Sequence, residues 1–413
     1  MKGIEGIQSL RLEVLTKLIE NLDQAPDMMF SNMFGTSQYP SDTIKWEVAY
    51  GSGGMTPFVA PGAVSPKIGI DGRGEGSAQA AFTKEAMFFG EDFLNNLRQP
   101  GTYQERMTAE RMLARGVQKL SWRCDRRRNW SMAKMLIDGE ITYVRKGGVQ
   151  FTVNYGVPDT HKVTVSPLWN ASSPTVIEDI FDAKKILAKD AGVAANNLIS
   201  VCNTEVLRTL MTNADFRDLL TKSNFGNGDL FQNPAAVIGN LLGLGTIRVM
   251  DDFYEIPAWF TANAAIGASD IYVDNVSDFE VNGEIRLYDL TTANSWEDAY
   301  IGAVDVANNK LSLVTTYGGS TAYTLTKAYV AGRDKVTMHK KYVGDDVFFM
   351  YSPTFEGEPI AEMMEAPYGI PRRFGKKIDT HMEWDPDGII LRVQDKFFPV
   401  LYYPTTTMTL TVQ

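Results

Sequence analysis

Hydrophobic and polar positions alternate along this chain with periods that change several times. From Ile7 to Leu22 the spacing is helical, with Leu15, Leu18, Ile19 and Leu22 on one face. Met28, Met29, Phe30, Met33 and Phe34 follow, too apolar for a free linker. They suit either an arm that docks on another molecule or a first element folding back onto its own domain. From Val48 to Asn95 glycines and prolines recur and exclude helix. Short pieces such as Pro66–Ile70 and Ala80–Thr83 predict an extended two-stranded loop that must lean on a partner surface.

The pattern then turns strongly helical. After Pro100 and Gly101 the chain runs from Thr102 to Asp138 with one glycine, Gly116, and no proline, and it stops at Gly139. This predicts one helix of roughly 55 Å at ~1.5 Å per residue. Tyr103, Met107, Leu113, Val117, Leu120, Cys124, Ala133, Leu136 and Ile137 form a discontinuous apolar stripe between arginine-rich faces. A helix of that kind is expected to lie across a surface rather than inside a core.

Beyond it, Ile141–Tyr155 and His161–Val165 read as strands. Helices are predicted from Ser173 to Gly192, from Asn203 to Leu210, from Ala214 to Leu220 and from Pro234 to Leu242, with strands at Leu198–Cys202 and Thr246–Met250 between them. Together they describe a compact α/β unit. From 259 to 332 helical periodicity gives way to alternation at Ile271/Val273, Ile285/Leu287, Val304/Val306 and Leu311/Leu313. Asn282-Gly283 and Asn308-Asn309 are placed as two-residue hairpin turns, so a small inserted β-domain is expected. Strands are predicted again at Val336–Met338, Val347–Tyr351, Ile389–Gln394, Phe397–Tyr403 and Met408–Val412.

Composition narrows the function. The 413 residues are 44% hydrophobic and 22% charged, which is ordinary for a folded chain of two to four domains. A net charge of -10 argues against a protein whose main task is to hold nucleic acid. Two cysteines, Cys124 and Cys202, exclude a disulfide scaffold. No signal-peptide core opens the chain and no 18-residue apolar run occurs, so neither export nor a membrane partner is expected.

Candidate chemistry is thin. The three histidines and two cysteines have no metal-binding spacing, so no metal is expected. Asp385-Pro386-Asp387-Gly388 resembles the start of a calcium loop, but Lys396 stands where the bidentate acid belongs. Gly72-Arg73-Gly74-Glu75-Gly76 lacks the spacing of a phosphate cradle, and Gly375-Lys376 fails the P-loop pattern twice. No nucleophile elbow exists. Catalytic residues and cofactors are therefore expected to be absent. One constellation asks for a partner: Arg123, Arg126, Arg127 and Arg128 have a single acid, Asp125, among them. Like charges three or four apart on a helix repel by roughly 0.2–0.5 kcal/mol per pair. The cluster is either a solvated face or an inter-subunit or DNA-facing surface.

The order of parts resembles the major capsid proteins of tailed bacteriophages, the Hong Kong ninety-seven type fold, and within it the lambda major head protein (capsid E) family. Val64-Ser65-Pro66-Lys67, the helix end Met135 to Glu140, the run Gln150 to Gly156 and Tyr368-Gly369-Ile370-Pro371 carry the resemblance. It implies an α+β fold with an N-terminal arm (1–44), an extended E-loop (45–97), a spine helix with peripheral-domain strands (98–172) and a first part of an axial domain (173–258). After the inserted β-domain (259–332) come the axial return and C-terminal peripheral strands (333–413). The implied function is a non-enzymatic head protein that self-assembles, as hexamers and pentamers, into an icosahedral virion shell around double-stranded DNA. Assembly is expected in the host cytoplasm, with scaffold, portal and decoration proteins as further partners and DNA touched without sequence preference. Gly53, Gly54, Lys67, Ile68, Ile70 and Arg73 of the loop, with the four arginines of the helix, are the expected assembly residues. An encapsulin-type compartment shell, a phage tail or baseplate protein and a hydrolase built on acidic pairs are the alternatives.

Overall fold

The structure is a computed structural model and describes residues 25–26, 28–49, 73–90, 103–144, 150–192, 198–222, 233–291, 295–384 and 387–413. The segment 7–22, the stretch 50–72 with its expected strand at 66–70, and residues 385 and 386 lie outside them. The chain divides into two compact units, the first made of residues 1–141, 154–249 and 345–413, the second of 142–153 and 250–344.

The long helix of the first unit runs from Tyr103 to Ile137. At ~1.5 Å per residue its 35 residues span about 52 Å. Gly139 stops it, with φ +65, and a Cβ there would lie 2.7 Å from Val157 Cγ2, so only glycine fits. The Thr409 hydroxyl donates to the Ile137 carbonyl at 2.7 Å, satisfying one of the carbonyls a helix end leaves open. Contrary to expectation, the second half of the helix does not lie across a surface. Met132, Ala133, Met135, Leu136 and Ile137 are all buried, together with Asn129 and Ser131. The sequence shows one stripe, but this half is enclosed on several sides.

The helix covers a five-stranded sheet. Asp387–Leu401, a 15-residue strand, pairs antiparallel with Lys377–Trp384 and with Ala81–Gly90 along its first part, and with Ala361–Glu365 along its last. Thr36–Gln38 adds in parallel beside Ala361–Glu365. The two strands expected at 389–394 and 397–403 are thus one, because each half has its own partners. Before the sheet, the apolar stretch Met28–Phe34 folds back on its own chain. Phe30 is fully buried, Ser31 N donates to Asn129 Oδ1 at 3.0 Å on the long helix, and Phe34 packs 6.1 Å from Tyr351.

A second sheet in this unit has the order 162–164, 407–411, 347–351, 199–202, 246–249, with parallel outer pairs and antiparallel inner ones. Helices Val176–Ala191, Thr204–Thr212, Ala214–Lys222 and Pro234–Leu241 accompany it. Asn203 caps the second of these by accepting from Val206 N at 2.9 Å. Ile180, Leu187, Leu210, Phe216, Ile238, Phe348 and Leu410 share the core. Lys184 is buried in it, and its ammonium donates to the Leu242 and Gly243 carbonyls at 2.8 and 3.1 Å, at the end of helix Pro234–Leu241. Desolvation lowers its pKa.

The second unit is a closed barrel. Its strands follow the order 253–259, 335–341, 284–289, 295–305, 310–314, 270–272, and the ends meet where Phe260 pairs with Val273 and Asp274 N donates to Trp259 O. Phe260, Ile271, Ile285, Leu287, Ile301, Leu311, Leu313, Val336 and Met338 fill it. The unit is wider than the expected 259–332, because Phe253–Trp259 and Lys335–Lys341 pair along seven residues and are barrel staves rather than connections. The ribbon Thr142–Val153 also groups with this unit instead of with the strands beside the helix. Both asparagine turns differ in detail from expectation. Asn309 has φ +51 but closes a four-residue loop between Asp305 and Lys310, and Asn282, with φ +67, leads into a strand from a loop rather than joining two neighbours.

Candidate assembly surface

Two arginines of the long helix, Arg123 and Arg128, have carboxylate partners within their own chain. Arg128 donates to both oxygens of Asp395, Nε to Oδ2 at 2.5 Å and Nη2 to Oδ1 at 2.6 Å, and Nη2 also donates to Glu365 Oε1 at 2.8 Å. Its side chain is 11% exposed and that of Asp395 is 0%. Burial opposes the charge on Arg128, but the charge and hydrogen bonds of Asp395 outweigh it and raise the pKa. Arg123 pairs with Glu85 at 2.6 Å, and Arg127 stacks over Trp130 at 4.3 Å. Asp125 is held by Lys376 at 2.5 Å. The surface expected from four arginines without acids is therefore corrected for Arg123 and Arg128: strands 81–90, 361–365 and 387–401 supply the acids, from positions 38 to 267 residues away in sequence. Between them Cys124 is buried, and desolvation, followed by the charge of Asp395, pushes its thiol up to about 12. It is an inert packing residue.

Of the loop residues, Gly53, Gly54, Lys67, Ile68 and Ile70 lie outside the described residues, and Arg73 begins the strand Arg73–Gln79. That strand pairs with Thr43–Ala49 as a two-stranded ribbon. The ribbon is rooted by Trp46, which packs 5.9 Å from Tyr155 and 5.6 Å from Phe398. Gly76 lies directly over the indole, where a Cβ would fall 2.3 Å from Trp46 Cε2.

The sheet beneath the long helix has two unlike faces. Residues directly opposite one another on antiparallel strands share a face. Glu85, Met87, Phe89, Val393 and Asp395 point at the helix, where Arg123 and Arg128 meet two of them and Gly116 leaves room for Met87 and Phe89. On the other face stand Phe82, Lys84, Ala86 and Phe88, opposite Lys396, Gln394, Arg392 and Ile390. Phe82 and Phe88 are 50% and 44% exposed. Phenylalanines on a sheet face that open to solvent mark a contact surface. Periodicity alone finds this strand but cannot say which face the helix takes.

Next to this face is a tight loop. Tyr368 N donates to Arg373 O at 3.0 Å and Arg373 N to Tyr368 O at 2.9 Å, so Gly369 to Arg372 project as its tip. The Tyr368 hydroxyl lies 2.7 Å from the Gly375 carbonyl and 3.0 Å from that of Gln394. Arg373 pairs with Asp379, and Arg372 donates to the Pro40 carbonyl. Among the described residues no group of three or more His, Cys, Asp or Glu is arranged to hold a metal, and no helix is long and apolar enough to cross a membrane.

The profile of the family described as phage major capsid protein E matches residues 11–280. No curated protein matches the chain. Among solved structures, the putative capsid protein of a prophage of E. coli CFT073 has a TM-score of 0.51 at 12% identity, covering 97% of this chain and 99% of that one. A phage-related protein from Bordetella bronchiseptica RB50 has a TM-score of 0.46 at 11% identity, with 96% of each chain covered. The capsid of cyanophage P-SCSP1u has a TM-score of 0.41 at 10% identity, covering 95% of this chain and 89% of that one. At these identities the first of the three supports the α+β fold, and the family match carries the rest.

Proposed function

The chain belongs to the phage major capsid protein E family, and from that premise we propose that its copies close, as hexamers and pentamers, into an icosahedral shell around the double-stranded DNA of a tailed phage. Its membership makes it a self-assembling structural protein of the virion and not an enzyme, and sets aside the encapsulin-type alternative. In this reading the ribbon rooted at Trp46 is the base of an E-loop over 45–97, which reaches a neighbouring copy. The sheet under the long helix is the peripheral domain, and the sheet containing Val347–Tyr351 is the axial domain. Loop residues Gly53, Gly54, Lys67, Ile68, Ile70 and Arg73, together with Arg126 and Arg127, remain proposed contact residues.

The observation that carries the proposal is the sheet with a helix on one face and exposed Phe88 and Ala86 on the other. A lone subunit leaves the strand bearing Phe82, Ala86 and Phe88 wet on this side, and a closed symmetric assembly covers it. The barrel is proposed to stand on the outer side of the shell. Residues 250–344 hold thirteen Asp and Glu against seven Lys and Arg, a net of -6 out of the chain's -10, which repels packaged DNA. Scaffold, portal and decoration proteins and assembly in the host cytoplasm complete the proposal. The test is electron microscopy and nuclease treatment of particles from the wild-type chain and from Phe88→Asp. Closed shells with protected DNA are expected for the first and loss of shells for the second. Tubes or plugs from the wild type would instead favour the tail or baseplate alternative.

A further inference from the structure

We propose that the outer face of the barrel carries a binding platform for a neutral polysaccharide, with Trp259 and Trp296 as the rings on which sugars stack and Arg286 and Asp298 as the groups that take their hydroxyls. The proposal goes beyond the shell reading above and does not depend on assembly.

Ile285, Leu287, Ala299 and Val336 point into the barrel, so the residues that alternate with them along the same strands point out. The register lines up four outward residues across neighbouring strands. Trp259 lies opposite Lys335, Lys335 opposite Tyr288, and Tyr288 opposite Trp296. At ~4.8 Å between strands, the two tryptophans stand roughly 14 Å apart along the sheet. They are 44% and 43% exposed. Strand 310–314 joins strand 295–305 only from Tyr300 onward, so Trp296 stands at the margin of the sheet. Neighbouring cations steady the row: Lys335 Nζ lies 4.8 Å from the centre of the Tyr288 ring, and Arg286 Cζ lies 5.2 Å from that of Trp296. Contacts of this kind hold a ring in one orientation, so little ordering is left to lose on binding. In the adjoining row Arg286 donates to Asp298 through Nε at 2.7 Å and Nη2 at 3.1 Å.

The make-up of the row selects the occupant. Contacts between proteins deplete charge at their centre and keep it for the rim, whereas here Lys335 stands between two rings and the Arg286–Asp298 pair lies beside them. Nucleic-acid bases also stack on open rings, but their backbone needs a basic groove. Arg286 is neutralised by Asp298, and the barrel as a whole has a net charge of -6, thirteen acids against seven bases. A neutral sugar chain satisfies both conditions. One side of a pyranose is a sheet of C–H bonds whose hydrogens carry slight positive charge and rest on the negative face of an aromatic ring. Its rim is made of hydroxyls, which give and receive hydrogen bonds at once. A guanidinium has five donors and a carboxylate about four acceptor sites, and this pair exchanges two bonds while each side chain remains about a third exposed or more, so both retain capacity for hydroxyls.

The experiment is affinity electrophoresis of the full chain in native gels containing mannan, β-glucan, galactan or xylan, beside gels containing heparin or single-stranded DNA. Wild type is expected to be retarded by at least one neutral polysaccharide and by neither polyanion. Trp259→Ala and Trp296→Ala are each expected to weaken that retardation about fivefold, the share of one stacked ring. Trp296→Tyr, which keeps a ring, and Phe253→Ala, which removes an exposed ring of the same barrel outside the row, are expected to behave as wild type. In wild type itself, the retarding polysaccharide is expected to protect Trp259 and Trp296 from oxidation by N-bromosuccinimide, read by peptide mass spectrometry, a measurement that needs no folded variant. Absence of retardation by every neutral polysaccharide, retardation that survives both alanine changes, unprotected tryptophans, or binding to the polyanions instead would overturn the platform. Because the gels read the unassembled chain, a wild type that makes no closed shells would overturn the shell reading alone.

Discussion

Replacing Arg128 by methionine tests how the long helix is fastened. The substitution keeps a long flexible side chain in the same space but removes three charge-assisted hydrogen bonds, two to Asp395 and one to Glu365. What remains is a carboxylate on Asp395 with no exposed surface and no cation. Such a group must either stay charged in a poorly polar setting or take up a proton. For a carboxyl of ordinary acidity near 3.9, protonation at pH 7 requires about 4 kcal/mol, at 1.36 kcal/mol per pH unit. Breaking one side of a buried ion pair has a similar cost, about 3–5 kcal/mol. The two estimates agree, so Arg128→Met is expected to lower the unfolding free energy of the unassembled chain by about 4 kcal/mol at pH 7. The protonation route also predicts that the deficit shrinks by more than half at pH 5, where about 1.5 kcal/mol suffices. Urea unfolding followed by far-UV circular dichroism at the two pH values provides the measurement. Adding Asp395→Leu should restore much of the loss, because an apolar pair of similar volume is often as stable as a buried ion pair. A deficit under about 1 kcal/mol at pH 7, with shell formation abolished, would refute the reasoning and return Arg128 to the surface between subunits.

Two further outcomes are expected. Glu297 of the barrel accepts from the Tyr323 and Tyr329 hydroxyls at 2.9 and 2.7 Å and from the Thr326 amide and hydroxyl at 2.9 and 2.7 Å. Burial raises its pKa, but the Thr326 and tyrosine hydrogen bonds outweigh burial and bring it below the ordinary 4.5. Its contribution to stability is therefore full above pH 4.5 and lost as pH falls through the lower folded value. Glu297→Gln, which turns an acceptor into a donor facing donors, should destabilise the protein by about 1–3 kcal/mol at pH 7 in urea unfolding, with the gap closing in acid below pH 4.5. Gly76→Ala should drive Trp46 off Tyr155 and Phe398, lowering the melting temperature by several degrees and weakening the near-ultraviolet aromatic signal. An unchanged spectrum would mean that the ribbon root is not held by that contact.

Much of the chain's layout is legible in its sequence. The described span of the long helix, Tyr103–Ile137, agrees within one residue at each end with the expected 102–138, because the Pro-Gly and Gly139 signals act locally through φ and missing donors. The same holds for helix Val176–Ala191, which Gly192 ends with φ +64. Strand Lys377–Trp384 is absent from the expected elements although Ile378, Met382 and Trp384 alternate with polar residues, a pattern too short and too polar to stand out beside the flanking turn residues. Its existence comes from eight paired positions along the neighbouring strand. The partners of Arg128 are hidden from the sequence for a similar reason. Asp395 lies 267 residues from Arg128 and Glu365 lies 237 away, and nothing local to the helix announces either.

The amino-acid sequence by itself determined where the long helix and helix Val176–Ala191 stop, which segments alternate with period two and which with the helical period, and the acidity concentrated in residues 250–344. These depend on each residue and its near neighbours. The tertiary structure decided which sheet face the helix covers, which acids meet the arginines, that Phe30 and Phe34 pack on their own chain, and that Ile370 stands clear of everything. Those outcomes arise when strands hundreds of residues apart pair in one register, and a register fixes every side chain's face at once.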